Sequence, residues 1–133
     1  MTQAIFIGKW IYQQLTANNE ISRVCPNKVF PLVAEQTTTF PFIVYWRNNI
    51  TGEHCKDGYH QDQVSFTIIA VSDNYVESLK LAQAIRESIE GTRYLYNNDG
   101  NQMEISFCKL ASIDETYQEN AFVQTLQFDC TVN

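Results

Sequence analysis

Charge is scarce in this sequence. Only 18% of its 133 residues are Asp, Glu, Lys or Arg, against about 25% in an average soluble domain. The nine Lys and Arg are scattered and form no stripe, and the formal charge is −6. A surface that grips phosphate is therefore excluded, and nucleic acid is expected only as something passing by without being bound. Long apolar runs are also lacking. None approaches the roughly 18 residues of a membrane span, so no membrane role is expected. The opening residues, Met1 to Trp10, show neither the basic start nor the cleavage pattern of a secretory leader. The four cysteines, Cys25, Cys55, Cys108 and Cys130, have no CxxC spacing. With no leader in view they are expected as free, mostly buried thiols.

The residues of catalysis are thin as well. There are two histidines and five glycines. Gly8 lies inside a helical pattern and Gly91 at the end of one, so no glycine-rich turn cradles a phosphate. His54-Cys55 and His60, with Asp57 and Asp62 nearby, form the one metal-like cluster. Their spacing matches no structural zinc pattern, and the plainer reading is a solvated loop. Asp114-Glu115 is a carboxylate pair in a polar connection, where charge is expected anyway. No catalytic, cofactor or metal residue is assigned, and the chain is not expected to be an enzyme.

What is present suits a single globular domain over residues 1–133, with 44% hydrophobic and 13% aromatic residues. Asn and Gln, 11 of each, take the place of charge. A neutral polar, aromatic-rich surface points to protein contacts, because interface centres lose charge and gain aromatics. The acidity is uneven. Residues 1–98 hold nine acids and eight bases, whereas residues 99–133 hold six acids and only Lys109.

Apolar spacing predicts a helix from about Gln3 to Ala17, with Ile7, Trp10, Ile11 and Leu15 on its buried stripe. Residues 20–40 read as irregular, with Val29-Phe30 a short edge strand between two prolines. Residues 42–46 form a strand apolar on both faces, buried on both sides or half of an interface. Arg47 to Asp62 reads as a polar connection of 16 residues, long enough to be functional. Gln63 to Val71 is a strand antiparallel to residues 42–47, with Val64, Phe66, Ile68 and Ala70 inward. A second helix runs from about Tyr75 to Glu90, with an Asn74/Glu77 capping box and Val76, Leu79, Ala82, Ile85 and Ile89 buried. Gly91 is placed as its left-handed cap. A short strand at residues 94–96 and two closing strands follow, the first with a bulge near Leu110-Ala111. The fold class expected is α+β: a largely antiparallel four- to five-stranded sheet with two main helices packed on one face.

The order of these elements resembles a known family. Ile11-Tyr-Gln-Gln-Leu15, Val29-Phe-Pro31 and Phe40-Pro-Phe-Ile-Val-Tyr45 are similar to the opening of the tail-completion (tail terminator) proteins of long-tailed bacteriophages. Asp57-Gly58 ahead of the strand at 63–68, the helix from Tyr75 to Gly91, and Asp114-Glu-Thr-Tyr117 followed by residues 122–132 resemble the rest of that family's pattern. The resemblance implies a structural virion protein, of phage or prophage, that closes the end of the tail tube as a homo-oligomeric ring, usually a hexamer. It implies as partners further copies of itself, the tail-tube protein and the head connector or neck, with DNA as passing cargo and no cofactor. Its place would be the tail end of the virion, after assembly in the host cytoplasm.

On that footing Tyr45, Arg47, His54, Lys56 and Tyr59 are candidates for a protein interface. Asp114, Glu115, Glu119 and Asp129 are candidates for a lumen wall that repels phosphate. Two other readings fit the same composition. One is a head-closure or neck adaptor; the other is a small-molecule-binding α+β domain, which would need an apolar cavity between sheet and helices.

Overall fold

The computed structural model describes residues 2–54 and 60–133. After a 3-10 turn at Ala4–Phe6 come α1 (Ile7–Ala17), α2 (Asn19–Val24), β1 (Val29–Pro31), β2 (Phe42–His54), β3 (His60–Ser72), α3 (Tyr75–Ile89), β4 (Gly91–Asn98), β5 (Asn101–Gln118) and β6 (Ala121–Val132). All six strands lie in one sheet, in the order β1-β2-β3-β6-β5-β4. β1 pairs parallel to β2, and every other pair is antiparallel.

This corrects the expected four- to five-stranded, largely antiparallel sheet. The sheet has six strands and is mixed. Val29–Pro31 joins it parallel to residues 43–45, because residues 32–41 carry the chain back to the top of β2. The polar stretch read as a 16-residue connection is mostly strand: β2 runs on to His54 and β3 starts at His60, paired with it. Polar side chains on both faces hide such a strand from a search for apolar alternation, since ladder hydrogen bonds rather than burial hold it there.

One face of the sheet carries the helices. Ile43 and Tyr45 of β2, Val64, Phe66, Ile68 and Ala70 of β3, and Leu126, Phe128, Cys130 and Val132 of β6 point into it. Trp10, Phe66 and Phe128 fill its centre, each no more than 1% exposed, with Trp10 edge-on to Phe66 and Phe66 stacked on Phe128. Burying one such aromatic contributes roughly 1.5–3 kcal/mol from area alone. Helix α1 reaches both ends of the sheet. Its Gly8 lies against the Tyr45 ring of β2, while Trp10 packs on Tyr94 and Lys9 Nζ donates to Asn98 Oδ1 of β4, 2.9 Å away. The sheet thus curls around α1 as a half-barrel.

Asn18 ends α1 and begins α2, a helix not foreseen. Its Oδ1 accepts from Ile21 N, and its Nδ2 donates to Ser88 Oγ and to the Ala84 carbonyl of α3. α3 has its Asn74 cap as expected, with Asn74 Oδ1 accepting from Glu77 N. Glu77, however, accepts from the Ser72 hydroxyl, which in turn accepts from Asn74 N. The buried stripe is rotated from its predicted place. Ser78, Leu81, Ala82, Ala84, Ile85 and Ile89 face the sheet, while Val76 and Leu79 are 56% and 40% exposed. Ser78 faces inward because buried Gln124 of β6 donates to its hydroxyl. Gly91 opens β4 rather than capping α3; a Cβ there would lie 2.6 Å from the Tyr94 hydroxyl, so a larger residue would have to displace that ring.

Candidate functional site

Three surfaces compete for a functional reading: the ends of the sheet, its helix-free face, and the tip of the β5–β6 hairpin.

The ends of the sheet are staggered. β1 covers only residues 43–45 of β2, and β4 covers only residues 101–108 of β5. Among the described residues, the lower half of β2 and the upper half of β5 therefore have a strand neighbour on one side only. At β1 the edge is blunted, because the strand is three residues long and ends in Pro31, which has no N–H to offer. The upper half of β5 has no such guard, and residues 111–118 are exposed throughout. Its first amide is held from within: Glu90 Oε2 accepts from Leu110 N at 3.1 Å. Glu90 also accepts from Arg86, and these two bonds, Arg86 first, hold its carboxyl below the usual carboxylate range.

The hairpin tip is a two-residue turn with Glu119 and Asn120 both at positive φ, 52° and 63°. That is the geometry whose twist matches the flanking strands, and its closing pair, Gln118 and Ala121, exchanges hydrogen bonds. Alternation along the ladder then turns the backbone groups of Ile113, Glu115 and Tyr117 outward, away from β6. Their side chains lie on the helix side, as the pairing of Ile113 with Leu126 and of Tyr117 with Phe122 requires. Tyr117 is 61% and Ile113 46% exposed, and Tyr117 packs on Phe122 together with Tyr75 of α3.

The helix-free face is apolar at one end and polar at the other. Val71, Ala121 and Val123 form a small cluster there with Phe42 and Ile69. Further along lie Ser65, Thr67 and Gln127, with Asn48 and Thr67 exchanging side-chain hydrogen bonds.

The candidate residues fall into different places. Tyr45 is only 6% exposed, on the helix side against α1, and burial raises its phenol pKa. Arg47 is exposed and donates to the Ile5 carbonyl at 3.0 Å, which ties the chain start to β2. His54 closes β2, and Lys56 and Tyr59 lie outside the described residues. The four acids do not form one patch. Asp114 and Asp129 share the helix-free face, where Asp129 accepts from Ser65 Oγ at 2.7 Å. Glu115 is on the opposite face, bonded to Tyr75, and Glu119 sits in the turn. Parity alone separates Asp114 from Glu115 once both lie in a strand.

Among the described residues no three His, Cys, Asp or Glu side chains come together as a metal site. The space between sheet and helices is filled by Trp10, Phe66 and Phe128. An open depression of about 680 Å³ runs along the outer side of α1 instead, past Tyr12, Pro31, Tyr45 and Tyr96. The exposed edge of β5 and its apolar shelf were missed in the sequence. Tyr117 and Ile113 alternating with polar residues up to a turn was the available signal.

No protein-family model matches the sequence, and no curated protein matches it. Among solved structures, a chain of the "Virion of native gene transfer agent (GTA) particle" superposes with a TM-score of 0.74 at 15% sequence identity. The match covers 92% of this chain and 90% of that one. It is a likeness of fold.

Proposed function

We propose that this chain is a structural protein of a phage-like virion, and that it completes the tail by closing the end of the tail tube as a homo-oligomeric ring, six subunits in the family it resembles. The observation that carries the reading is the fold shared along nearly the whole of both chains with a component of the gene transfer agent particle. The surface supports it. Charge is low, both ends of the sheet keep unpaired strand, and apolar residues such as Leu32 and Val33 are 75% and 74% exposed. A subunit flanked by copies on two sides, with a tube below and a neck above, needs such surfaces.

In this reading the chain performs no chemistry and holds no cofactor. The helix-free face carries Asp114 and Asp129 among Ser, Thr, Asn and Gln, and Lys109 lies opposite Asp129 in the ladder; with acids and neutral groups outnumbering that lysine, it suits a wall along which DNA passes without sticking. A fold shared with one chain of a whole particle fits a head-closure or neck adaptor as well, and the partner separates the two. Purified chain mixed with tail-tube protein and with connector protein, then imaged, is the test. Rings seated on tube ends support tail completion; binding to the connector alone would assign the chain to the neck.

A further inference from the structure

We infer that copies of this chain join head to tail through their sheets, the free upper half of β5 in one subunit pairing antiparallel with the free lower half of β2 in the next. The closing of such a chain of subunits into a ring rests on the tail-completion reading; the seam itself rests on the strand edges.

The two free stretches are complementary in position. Among the described residues no strand pairs with the outer edge of β5 over residues 109–118, at one corner of the sheet, or of β2 over residues 46–54, at the diagonally opposite corner. β2 and β5 run in opposite directions, as their pairing through β3 and β6 dictates. A neighbouring copy shifted along the strands therefore places its β2 above β4, in the column that β4 leaves empty, and antiparallel to β5. Its own β1 lies clear of the contact. Each subunit then offers both halves of the seam, the heterologous arrangement that gives a ring where the rotation between neighbours closes. The stagger is the register shift that tilted strands need to close around an axis.

The side chains agree. Beside β5 the helix-side shelf is Ile113 and Tyr117, 46% and 61% exposed, with Tyr117 and Tyr75 both packed on Phe122. Beside β2 the helix-side shelf is Ile5, 71% exposed, next to Ile50 and Arg47. In a sheet continued across the seam these two shelves fall on the same face and meet. Charge does not oppose this pairing: residues 109–118 hold Lys109 with Asp114 and Glu115, and residues 46–54 hold Arg47 and Glu53, so the β2 side is neutral in sum and offers Arg47 to the acids. A symmetric pairing of β5 with its own copy, centred on the outward-facing residues 113, 115 and 117, would set Glu115 against Glu115, which like charges oppose. The occupant favoured is therefore a second copy's β2.

Two complementary variants test this. I113K/Y117K disables the β5 side, and I5D/R47E disables the β2 side. All four residues but Arg47 are exposed apolar groups, so thermal unfolding checks that each variant remains folded. The wild-type chain should self-associate with rising concentration in sedimentation, and each variant alone should weaken this by roughly tenfold or more in Kd. Mixed, the two variants should recover a one-to-one dimer, because each retains the edge the other lacks. A single substitution, I113P, which removes one outward N–H, should weaken association in the same direction. Hydrogen exchange at residues 113, 115 and 117 should slow by about tenfold or more on assembly. A wild-type chain that stays monomeric at its highest soluble concentration, variants that associate unchanged, or a β2-side variant that still dimerises with itself would overturn the seam. Variants that still cap tubes would overturn the seam and leave tail completion standing; seam dimers that never cap tubes would do the reverse.

Discussion

The phenol of Tyr75 donates to the carboxylate of Glu115, 3.0 and 3.1 Å from its two oxygens. One residue opens α3 and the other lies in the half of β5 that β4 leaves uncovered, so this bond pins a free strand edge to the helix layer. Gln124 Nε2 donates to the same carboxylate from β6, and Tyr75 and Tyr117 both pack on Phe122.

The bond has a spectroscopic consequence. Hydrogen bonding to Glu115 first, then desolvation, raises the Tyr75 pKa above that of a free phenol. A group whose folded pKa is raised contributes its stability below the unfolded pKa, near 10, and loses it as pH rises through the folded value. Glu115→Gln should bring the Tyr75 phenolate absorbance to lower pH, with the other tyrosines unmoved. An unchanged titration would show that the bond does not form in solution.

Asn18 joins three helices through two separate sets of bonds, and two substitutions divide them. Asn18→Ser keeps a cap oxygen for Ile21 N but cannot reach Ser88, and should cost about 0.5–1.5 kcal/mol. Asn18→Ala loses the cap as well and should cost about 1 kcal/mol more. Urea unfolding of the pair measures both; equal losses would mean that the cap contributes nothing.

The thiols give a further test. Cys25 is buried, and burial, only partly offset by Lys28, pushes its thiol up to about 11. Cys108 and Cys130 are cross-strand neighbours, 0% and 2% exposed, and the Cys108 pKa is raised by its hydrogen bond with Cys130 and then by burial. In the native protein at pH 8 these three cysteines should resist a thiol reagent and react at once in denaturant. Mass mapping of the labelled sites checks this. Fast native labelling of Cys108 or Cys130 would mean that the β5–β6 ladder opens readily.

Much of this architecture is legible in the residues, where burial follows a simple period. Ile7, Trp10, Ile11 and Leu15 mark α1, and Val64, Phe66, Ile68 and Ala70 mark β3, because each faces one continuous core. Reading fails where backbone pairing outruns burial. Apart from Ile50 and Leu110, residues 47–54 and 109–118 are polar or exposed yet lie in strands, so a hairpin reads as a loop and the sheet reads as smaller than six strands. It fails again at α3, where small Ser78 and Ala84 face the sheet and larger Val76 and Leu79 face outward. An apolar stripe chosen by residue size cannot foresee that Gln124 needs a hydroxyl opposite it. The candidate acids, contiguous in sequence at Asp114-Glu115, part to opposite faces because both lie in a strand, where successive side chains alternate.

Tail completion itself is tested most directly by the length of tail tubes. Tube protein polymerised alone should grow without limit, and in the presence of this chain growth should stop, leaving short tubes each closed at one end by a ring. Tubes that lengthen equally with and without the chain, and bear no ring at either end, would contradict the account.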